Sequence, residues 1–205
     1  MDLGGSSPTL PGLRTIAAVP PPPVPRLDPP WSLRPVDPQG ADLELVHAWM
    51  RAEHVAKYLR QPWSREQWRE ELTRQLQGAH ELPCLLRRDT QPIMYLEIYR
   101  AAQDPVADCY PARPHDLGLH LAIGDRALVG MGIARTVLPR IIDALWRADP
   151  RCTCILVEPD VGNAAAIRTF LASGFEPRGE ITLPNKTALL LTISRRQEDV
   201  SREPE

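Results

Sequence analysis

The sequence has little cysteine, no long apolar stretch and no strong excess of either charge. Its four cysteines lack the CxxC spacing of zinc-binding motifs, so we expect no metal site. Apolar runs such as residues 188–193 are far shorter than the roughly 20 residues that a membrane helix needs. The N-terminus lacks a basic segment followed by an apolar one, so no signal peptide is predicted and the expected location is the cytoplasm.

Basic residues are also too few to predict a surface that binds nucleic acid. The 205 residues include 24 Lys and Arg against 26 Asp and Glu, which gives a net charge of -2. We therefore expect neither a nucleic-acid nor a membrane partner. The chain is 43% hydrophobic, and its length fits one domain with a sizeable core.

Proline, in contrast, is abundant near the N-terminus. Residues 20–23 are four consecutive prolines, and Pro25, Pro29 and Pro30 follow. Because proline lacks an N–H donor and fixes φ, we expect residues 1–30 to form a disordered or polyproline-like tail. A PxxP motif that binds a partner is the alternative. A polar tail is expected at 195–205, which leaves 31–194 as the folded domain.

Within that domain the spacing of apolar residues alternates between helix and strand periods. Ser64 and Gln67 form a predicted capping box at the start of one helix. The predicted helices are 41–58, 64 onward, 133–147 and 163–173, and the predicted strands are 31–35, 83–87, 93–99, 117–123, 154–157, 175–181 and 187–193. This order predicts an α/β fold, a mixed sheet with helices packed on its faces.

The strand at 117–123 has an unusual face. Side chains alternate along a strand, so Gly118, His120 and Ala122 point the same way. Two minimal side chains around one imidazole predict room for a ligand beside a titratable group. An imidazole with an ordinary pKa near 6.5 suits a general base at neutral pH. The alternative is a hydrogen-bonded histidine with a purely structural role.

A glycine loop follows that strand and opens the next helix. Gly130 and Gly132 would let backbone N–H groups approach an anion at the helix N-terminus, where the helix dipole favours negative charge. The spacing does not fit a Rossmann fingerprint, because Arg135 stands where the third glycine would be. The GK[ST] sequence of a P-loop is also missing. The loop thus predicts a pyrophosphate site of another kind.

These residues resemble the acyl-CoA-binding motif of the GNAT acyltransferase superfamily. The resemblance rests on the strand, the loop from Arg126 through Gly130 and Gly132, and the second block Val157-Glu-Pro-Asp160 with Asn163. It implies a single-domain GNAT acyl-CoA N-acyltransferase fold with a mixed, mostly antiparallel sheet and acyl-CoA as co-substrate. The implied CoA-binding residues are Leu121, Ile123, Arg126, Val129, Gly130, Met131, Gly132, Ile133, Ala134 and Asn163.

Four segments narrow the resemblance within that superfamily. Residues 95–99, 115–120, 158–163 and 179–188 are similar to those of siderophore-biosynthetic N-acyltransferases of the mycobactin and aerobactin types. The resemblance implies acyl transfer to the side-chain amine or hydroxylamine of a lysine, ornithine or diamine precursor. It also implies that His120 and Asp160 form the active-site pair, with His120 as the base and Asp160 positioning the amine or orienting the base.

The acceptor pocket is predicted from His54, Trp63, Tyr95 and Glu97. Tyr95, Glu97 and Tyr99 share one strand face, and a carboxylate between aromatic rings suits an amine substrate. A solvated strand face is the alternative. Trp63 with Trp68 also has the spacing of a hydrophobic staple at a helix start.

Two other functions fit the same blocks of sequence. One is an aminoglycoside-type or other small-molecule N-acetyltransferase, although few acids are available for the strongly acidic cleft that such enzymes use. The other is a CoA-binding module without turnover. Phe170 stands where many GNAT enzymes have a tyrosine that protonates the leaving thiolate, which permits this second alternative. Either a monomer or a dimer is consistent with the sequence.

Overall fold

A computed structural model describes residues 19–195 of the chain. Over this range it contains five α-helices: α1 Ala41–Arg51, α2 Glu53–Leu59, α3 Arg65–Gln77, α4 Ile133–Ala148 and α5 Ala164–Ala172. The seven strands are β1 Trp31–Pro35, β2 Glu81–Arg88, β3 Gln91–Arg100, β4 Leu117–Ala122, β5 Cys154–Val157, β6 Glu176–Leu183 and β7 Lys186–Ser194. None of the helices in this part of the chain is long and apolar enough to cross a membrane.

The strands form one mixed sheet in the order β1-β2-β3-β4-β5-β7-β6. Every neighbouring pair is antiparallel except β4 and β5, which run parallel. The predicted mixed, mostly antiparallel sheet is therefore confirmed. The β4–β5 pair is also very short, since only Leu117 with Ile155 and Gly118 with Leu156 face each other. Beyond these pairs the two strands have no further pairing, so the sheet has a gap at its centre.

Helices cover both faces of the sheet. On one face, α4 and α5 pack on Leu96 and Leu119 and form the larger core. On the other face, α1, α2 and α3 pack on Leu85 and Tyr95. The alternation of side chains along β2 and β3 divides their apolar residues between these two cores. His120 lies on the face of α1–α3, because it alternates with Leu119 along β4.

The predicted helix 41–58 is in fact two helices. Ala52 has extended backbone angles, φ -60° and ψ 130°, which end α1 and begin α2. Neither glycine nor proline marks this break, so the apolar spacing alone predicts one continuous helix. The predicted capping box is present at α3: the Ser64 hydroxyl accepts from the Gln67 N–H, and the Gln67 side chain accepts from the Ser64 N–H.

The proline-rich segment at 19–30 is bound to the domain, which corrects the predicted disordered tail for these residues. Pro22 and Pro25 are buried, and Leu27 packs on the larger core. Arg100, only 1% exposed, donates to the carbonyl oxygens of Pro20 and Pro21 at 3.0 and 3.1 Å. Proline carbonyls remain available as acceptors although proline has no N–H, so a buried guanidinium can hold them. Residues 1–18 and 196–205, predicted as tails, lie outside the described residues.

Candidate active site

A cavity of about 480 Å³ lies between α2, the end of β4, the loop before α4, and α5. Gly130 and Gly132 have left-handed φ angles of 82° and 75°, and a β-carbon at either would meet nothing within 4 Å. Within residues 19–195, the N–H groups of Gly132, Ile133 and Ala134 find no hydrogen-bond acceptor in the protein. Open backbone N–H groups at the start of a long helix form a suitable cradle for a pyrophosphate.

Most of the residues predicted to bind CoA surround this cavity. Eight line it: Leu121, Ile123, Val129, Gly130, Gly132, Ile133, Ala134 and Asn163. Arg126 and Met131 do not; Arg126 lies in a short 3₁₀ turn, and Met131 is 71% exposed. Sequence reasoning missed two cations in the lining, Arg135 in the first turn of α4 and Arg168 on α5. The position of Arg135 in the first turn after the glycine loop is a signal that could have found it, whereas Arg168 reaches the cavity only through the packing of α5.

Asn163 has a structural role as well as a place in the cavity lining. Its side-chain oxygen accepts from the Ala166 N–H at 3.2 Å and caps α5. It also lines the cavity, so the two roles coexist. Phe170 lines the same cavity and is buried in the larger core against Phe175.

His120 lies between two carboxylates, on the face of the sheet that α1–α3 cover. Its Nδ1 is 2.8 Å from Glu97 Oε1, and its Nε2 contacts Glu158 Oε1. A carboxylate can only accept, so both ring nitrogens donate and the ring is an imidazolium. Burial lowers the pKa of His120, but the charge and hydrogen bonds of Glu158 and Glu97 outweigh it and raise the pKa to about 10. The expectation of an ordinary pKa near 6.5 is therefore wrong for this state of the molecule.

The two carboxylates are held by further donors. Glu97 Oε2 accepts from Gln75 on α3 at 2.8 Å and from the Tyr95 hydroxyl at 3.1 Å. Glu158, 3% exposed, accepts from the Tyr99 hydroxyl at 2.8 Å and lies 3.5 Å from Lys186 Nζ. Burial raises the pKa of Glu158, but the charges of His120 and Lys186 and the hydrogen bonds of His120 and Tyr99 lower it to about 2.

Two predictions for this face need correction. The room expected beside Gly118 is filled by Tyr99, since a β-carbon at Gly118 would lie 1.9 Å from Cζ of that ring. Tyr99 also stacks on His120, with ring centroids 4.8 Å apart. Tyr95 is 2% exposed and donates to Glu97, so it holds the carboxylate and does not face open space. Glu97 in turn has three protein donors.

Asp160 begins the turn that follows β5. Its Oδ2 accepts from Arg60 Nη2 at 2.8 Å, and its Oδ1 accepts from the Gly162 N–H at 2.8 Å. Over the described range no hydrogen bond or ion pair joins Asp160 to His120. The carboxylate that contacts the ring is Glu158, two residues earlier. The role of Glu97 as a partner of His120 could have been predicted from an antiparallel pairing of β3 and β4, because that pairing places Glu97 opposite His120.

The remaining two predicted acceptor residues lie in different surroundings. His54 lines the cavity beside the glycine loop, and its Nε2 donates to the Ile123 carbonyl oxygen at 2.9 Å. It therefore orients the backbone at the end of β4. Trp63 packs on Trp68 with ring centroids 5.0 Å apart, which is the staple at the start of α3.

A helix-terminal cradle beside a gap between two parallel strands agrees with the comparison to known families. Residues 39–183 match the family model described as an acetyltransferase (GNAT) domain. The chain belongs to the GNAT family of acetyltransferases. This GNAT chain is 37% identical over 184 residues to lysine N-acyltransferase MbtK of Mycobacterium sp. (strain MCS), which covers 90% of this chain and 75% of the relative. It is also 29% identical to the N(6)-hydroxylysine O-acetyltransferase of Escherichia coli, over 80% of this chain and 52% of the relative.

Solved structures share the fold. An uncharacterized protein from Bacillus halodurans superimposes with a TM-score of 0.78 at 28% identity, over 89% of this chain and 93% of that one. The aminoglycoside acetyltransferase AAC(6')-Ib in complex with coenzyme A gives 0.72 at 21% identity, over 84% and 99% of the two chains. The predicted GNAT fold, the acyltransferase class and the resemblance to siderophore-biosynthetic N-acyltransferases are confirmed. Among the described residues no group of three or more His, Cys, Asp or Glu could hold a metal.

Proposed function

We propose that this enzyme transfers an acyl group from acyl-CoA to the side-chain amine of lysine, or to a hydroxylamine derived from such a side chain, in siderophore biosynthesis. The observation that carries the proposal is the position of the gap between β4 and β5. The open N–H groups before α4 line the cavity at the end of β4, and His120 with its two carboxylates lies on the same strand beyond its last pairing with β5. The names of the mycobacterial relatives support lysine as the first acceptor to test.

The residues of the cavity fit the co-substrate. The N–H groups of Gly132, Ile133 and Ala134 would hold the pyrophosphate, and the guanidinium groups of Arg135 and Arg168 would add positive charge along the same wall. When bound there, acyl-CoA supplies an electrophilic thioester carbonyl. The backbone N–H groups near Leu121 and Ile123, at the end of β4 that has no partner in β5, are the donors available to polarise this carbonyl.

The acceptor cleft, defined by His120, Glu158, Asp160 and Lys186, suits a cationic substrate. Glu158 and Asp160 are two carboxylates at the end of β5, and an amine of ordinary pKa near 10.4 arrives as an ammonium. That ammonium adds positive charge beside His120 and competes for the carboxylates that bind the ring. Both effects lower the pKa of His120 from about 10. His120 thereby becomes able to accept a proton only after the acceptor has bound.

Proton balance assigns the two side chains different tasks. Acyl transfer from a thioester to an ammonium releases one proton, because the departing thiol retains another. We assign the acceptance of the amine proton to His120 and the positioning of the ammonium to Asp160. A hydroxylamine acceptor is neutral near pH 7 and places less demand on His120.

The proposal is tested by measuring free thiol release from a panel of acyl-CoAs with lysine, hydroxylysine, hydroxyornithine, hydroxyputrescine and one aminoglycoside. Turnover with a lysine-type amine or hydroxylamine is the expected result. Turnover with the aminoglycoside alone would contradict the proposal. So would CoA binding without turnover of any acceptor, which is the behaviour of a binding module.

The role of His120 is tested with His120→Ala in the same assay. General acid–base catalysis contributes about 10²-fold or more, so kcat should fall by at least that factor while the KM for acyl-CoA changes little. His47→Ala, a histidine on α1, is the matched control and should retain wild-type kcat. Unchanged kcat in His120→Ala would exclude the role.

The wider setting is also part of the proposal. We infer a cytoplasmic enzyme, monomeric or dimeric, that acts on small molecules without a metal, a nucleic acid or a membrane as partner. The near-zero net charge and the sparse cysteines of the sequence support this inference.

A further inference from the structure

The residue that ends α2 has a backbone conformation that is unusual for its type. Arg60 is left-handed, with φ 55° and ψ 34°, a conformation that helix ends usually give to glycine or asparagine. The sharp turn directs its side chain away from α2 and across to the opposite half of the sheet. Just before it, the Tyr58 hydroxyl donates to the Gly162 carbonyl oxygen at 3.4 Å. Residues 58–60 therefore connect the end of α2 to the turn that begins at Asp160.

Both terminal nitrogens of Arg60 have partners in that opposite half. Nη2 donates to Asp160 Oδ2 at 2.8 Å, and Nη1 donates to the Asn185 carbonyl oxygen at 3.0 Å in the turn between β6 and β7. A carboxylate oxygen together with a carbonyl oxygen is also the kind of acceptor set that a primary ammonium satisfies. The site at Asp160 is thus already filled by a cation of the protein itself.

Exposure distinguishes Arg60 from the other cations of the cleft. Its side chain is 53% exposed, against 31% for His120 and 13% for Lys186. Asp160, its partner, is only 12% exposed. An ion pair with one strongly exposed member is weak, because water and salt compete for it. Arg60 is therefore the cation that an incoming ligand displaces most readily.

We propose that Arg60 is a specificity-determining placeholder: in the free enzyme it occupies the position at Asp160 that the acceptor's ammonium takes during turnover. This inference rests on the proposed function in taking the acceptor to be an amine that arrives charged. The pair favours a ligand that brings its own cation to Asp160 over a neutral molecule, which cannot replace the guanidinium. The opposite role, in which Arg60 binds a substrate carboxylate, would bring a second carboxylate next to Asp160 and add repulsion.

The experiment compares Arg60→Gln with Arg65→Gln. Glutamine keeps hydrogen-bonding capacity without charge, and the half-exposed Arg65 pairs with the exposed Glu44 on α1 and not with Asp160. Binding of n-butylammonium, a probe for the lysine side chain, is measured by calorimetry on the CoA-bound enzyme. The acceptor KM and kcat are measured in the thiol-release assay. Asp160→Asn and the double variant complete a mutant cycle.

Arg60→Gln removes a competing exposed ion pair. It should therefore lower the dissociation constant of n-butylammonium and the acceptor KM by about twofold to fivefold, with kcat changed less. Arg65→Gln should leave both values unchanged, and Asp160→Asn should abolish the gain. Unchanged or weaker binding in Arg60→Gln would overturn the inference. The proposed function would still be decided by the thiol-release panel with the wild-type enzyme. If the wild type turns over no amine but Arg60→Gln still tightens the probe, the proposed function fails, and what remains is that Arg60 competes with an ammonium for Asp160.

Discussion

At the scale of single residues, the charge of His120 depends on the two carboxylates that bind its ring. Neither of them is a neighbour in sequence: Glu97 comes from β3 and Glu158 from the end of β5. The charge of the His120 ring therefore depends on the packing of three strands and on any ligand that binds between them. In this enzyme the proton affinity of a candidate base is set by tertiary structure.

We expect Glu158→Gln to lower the pKa of His120 by about 1–3, because an opposite charge and a hydrogen bond are both weakened. The measurement is an NMR pH titration of the imidazole resonances, which is practicable because the chain has five histidines. Glu176→Gln, on the exposed strand β6, is the control and should leave the titration unchanged. Equal pKa values in all three proteins would contradict the role of Glu158.

The same pair should make stability depend on pH. The pKa of His120 is raised from 6.5 to about 10, so its contribution is complete below pH 6.5 and is lost as pH rises toward 10. The pKa of Glu158 is lowered from 4.5 to about 2, so its contribution is complete above pH 4.5 and is lost as pH falls toward 2. In urea unfolding, the stability difference between wild type and His120→Gln should therefore be largest between pH 4.5 and 6.5. A difference that grows between pH 7 and 10 would contradict this sign.

Residue types and periodicity predicted part of the candidate site. Gly130 and Gly132 line the cavity, and the sequence could indicate them because a glycine loop before a helix has local physical causes. The partners of His120 could not be predicted in the same way. A pKa depends on burial and on charges from other strands, and the packing of Tyr99 over Gly118 depends on the strand register.

At the scale of secondary-structure elements, helix starts were the most predictable feature and helix interruptions the least. The capping box of α3 is encoded by two side chains three residues apart, so the sequence is sufficient to place it. The break between α1 and α2 occurs at an alanine, the residue that favours helix most. Packing of both helices on the sheet overrides local preference there, and the break allows α2 to direct Arg60 across the cleft.

The start of α4 offers a test of the CoA cradle. Gly132→Asp should abolish CoA binding, because it places negative charge against the pyrophosphate where the helix dipole favours an anion. Gly132→Asn, which adds the same bulk without the charge, is the matched control and should weaken binding less. Calorimetric titration with CoA measures both. Equal affinities in the two variants would show that charge at this position is unimportant.

At the scale of the whole molecule, the N-terminal segment is part of the folded domain. Arg100 connects it to the body: besides Pro20 and Pro21, the guanidinium contacts the His115 carbonyl oxygen and Asp149 at 3.1 and 2.7 Å. Proline content alone predicted a free tail, because composition does not reveal an acceptor role for carbonyl groups. The buried arginine on β3 supplies the partner that the composition could not indicate.

Replacing Arg100 tests this attachment. Arg100→Met should reduce the free energy of unfolding by about 3–5 kcal/mol, because it removes one partner of the buried Arg100–Asp149 ion pair and leaves Asp149 to His115 alone. The exposed Arg151→Met is the control and should change stability by no more than about 0.5 kcal/mol. Urea unfolding measures both values. A loss as small as that of the control would mean that the segment and its anchor contribute little.

The short β4–β5 pairing divides the sheet into two antiparallel blocks, β1–β4 and β5–β7, that are joined along the backbone by only two residue pairs. A molecule bound at this joint contacts both blocks and adds to the interactions that hold them together. CoA should therefore protect the amides of β4 and β5 from hydrogen exchange more than those of β1 and β2. At 100 times its dissociation constant it should also stabilise the fold by about 2.7 kcal/mol. Equal protection of β4 and β5 on one hand and β1 and β2 on the other would mean that the joint is as firm as the rest of the sheet. The part of this sheet with the fewest pairings between neighbouring strands is thus next to the place where its co-substrate is proposed to bind, so CoA occupancy should hold the two blocks together.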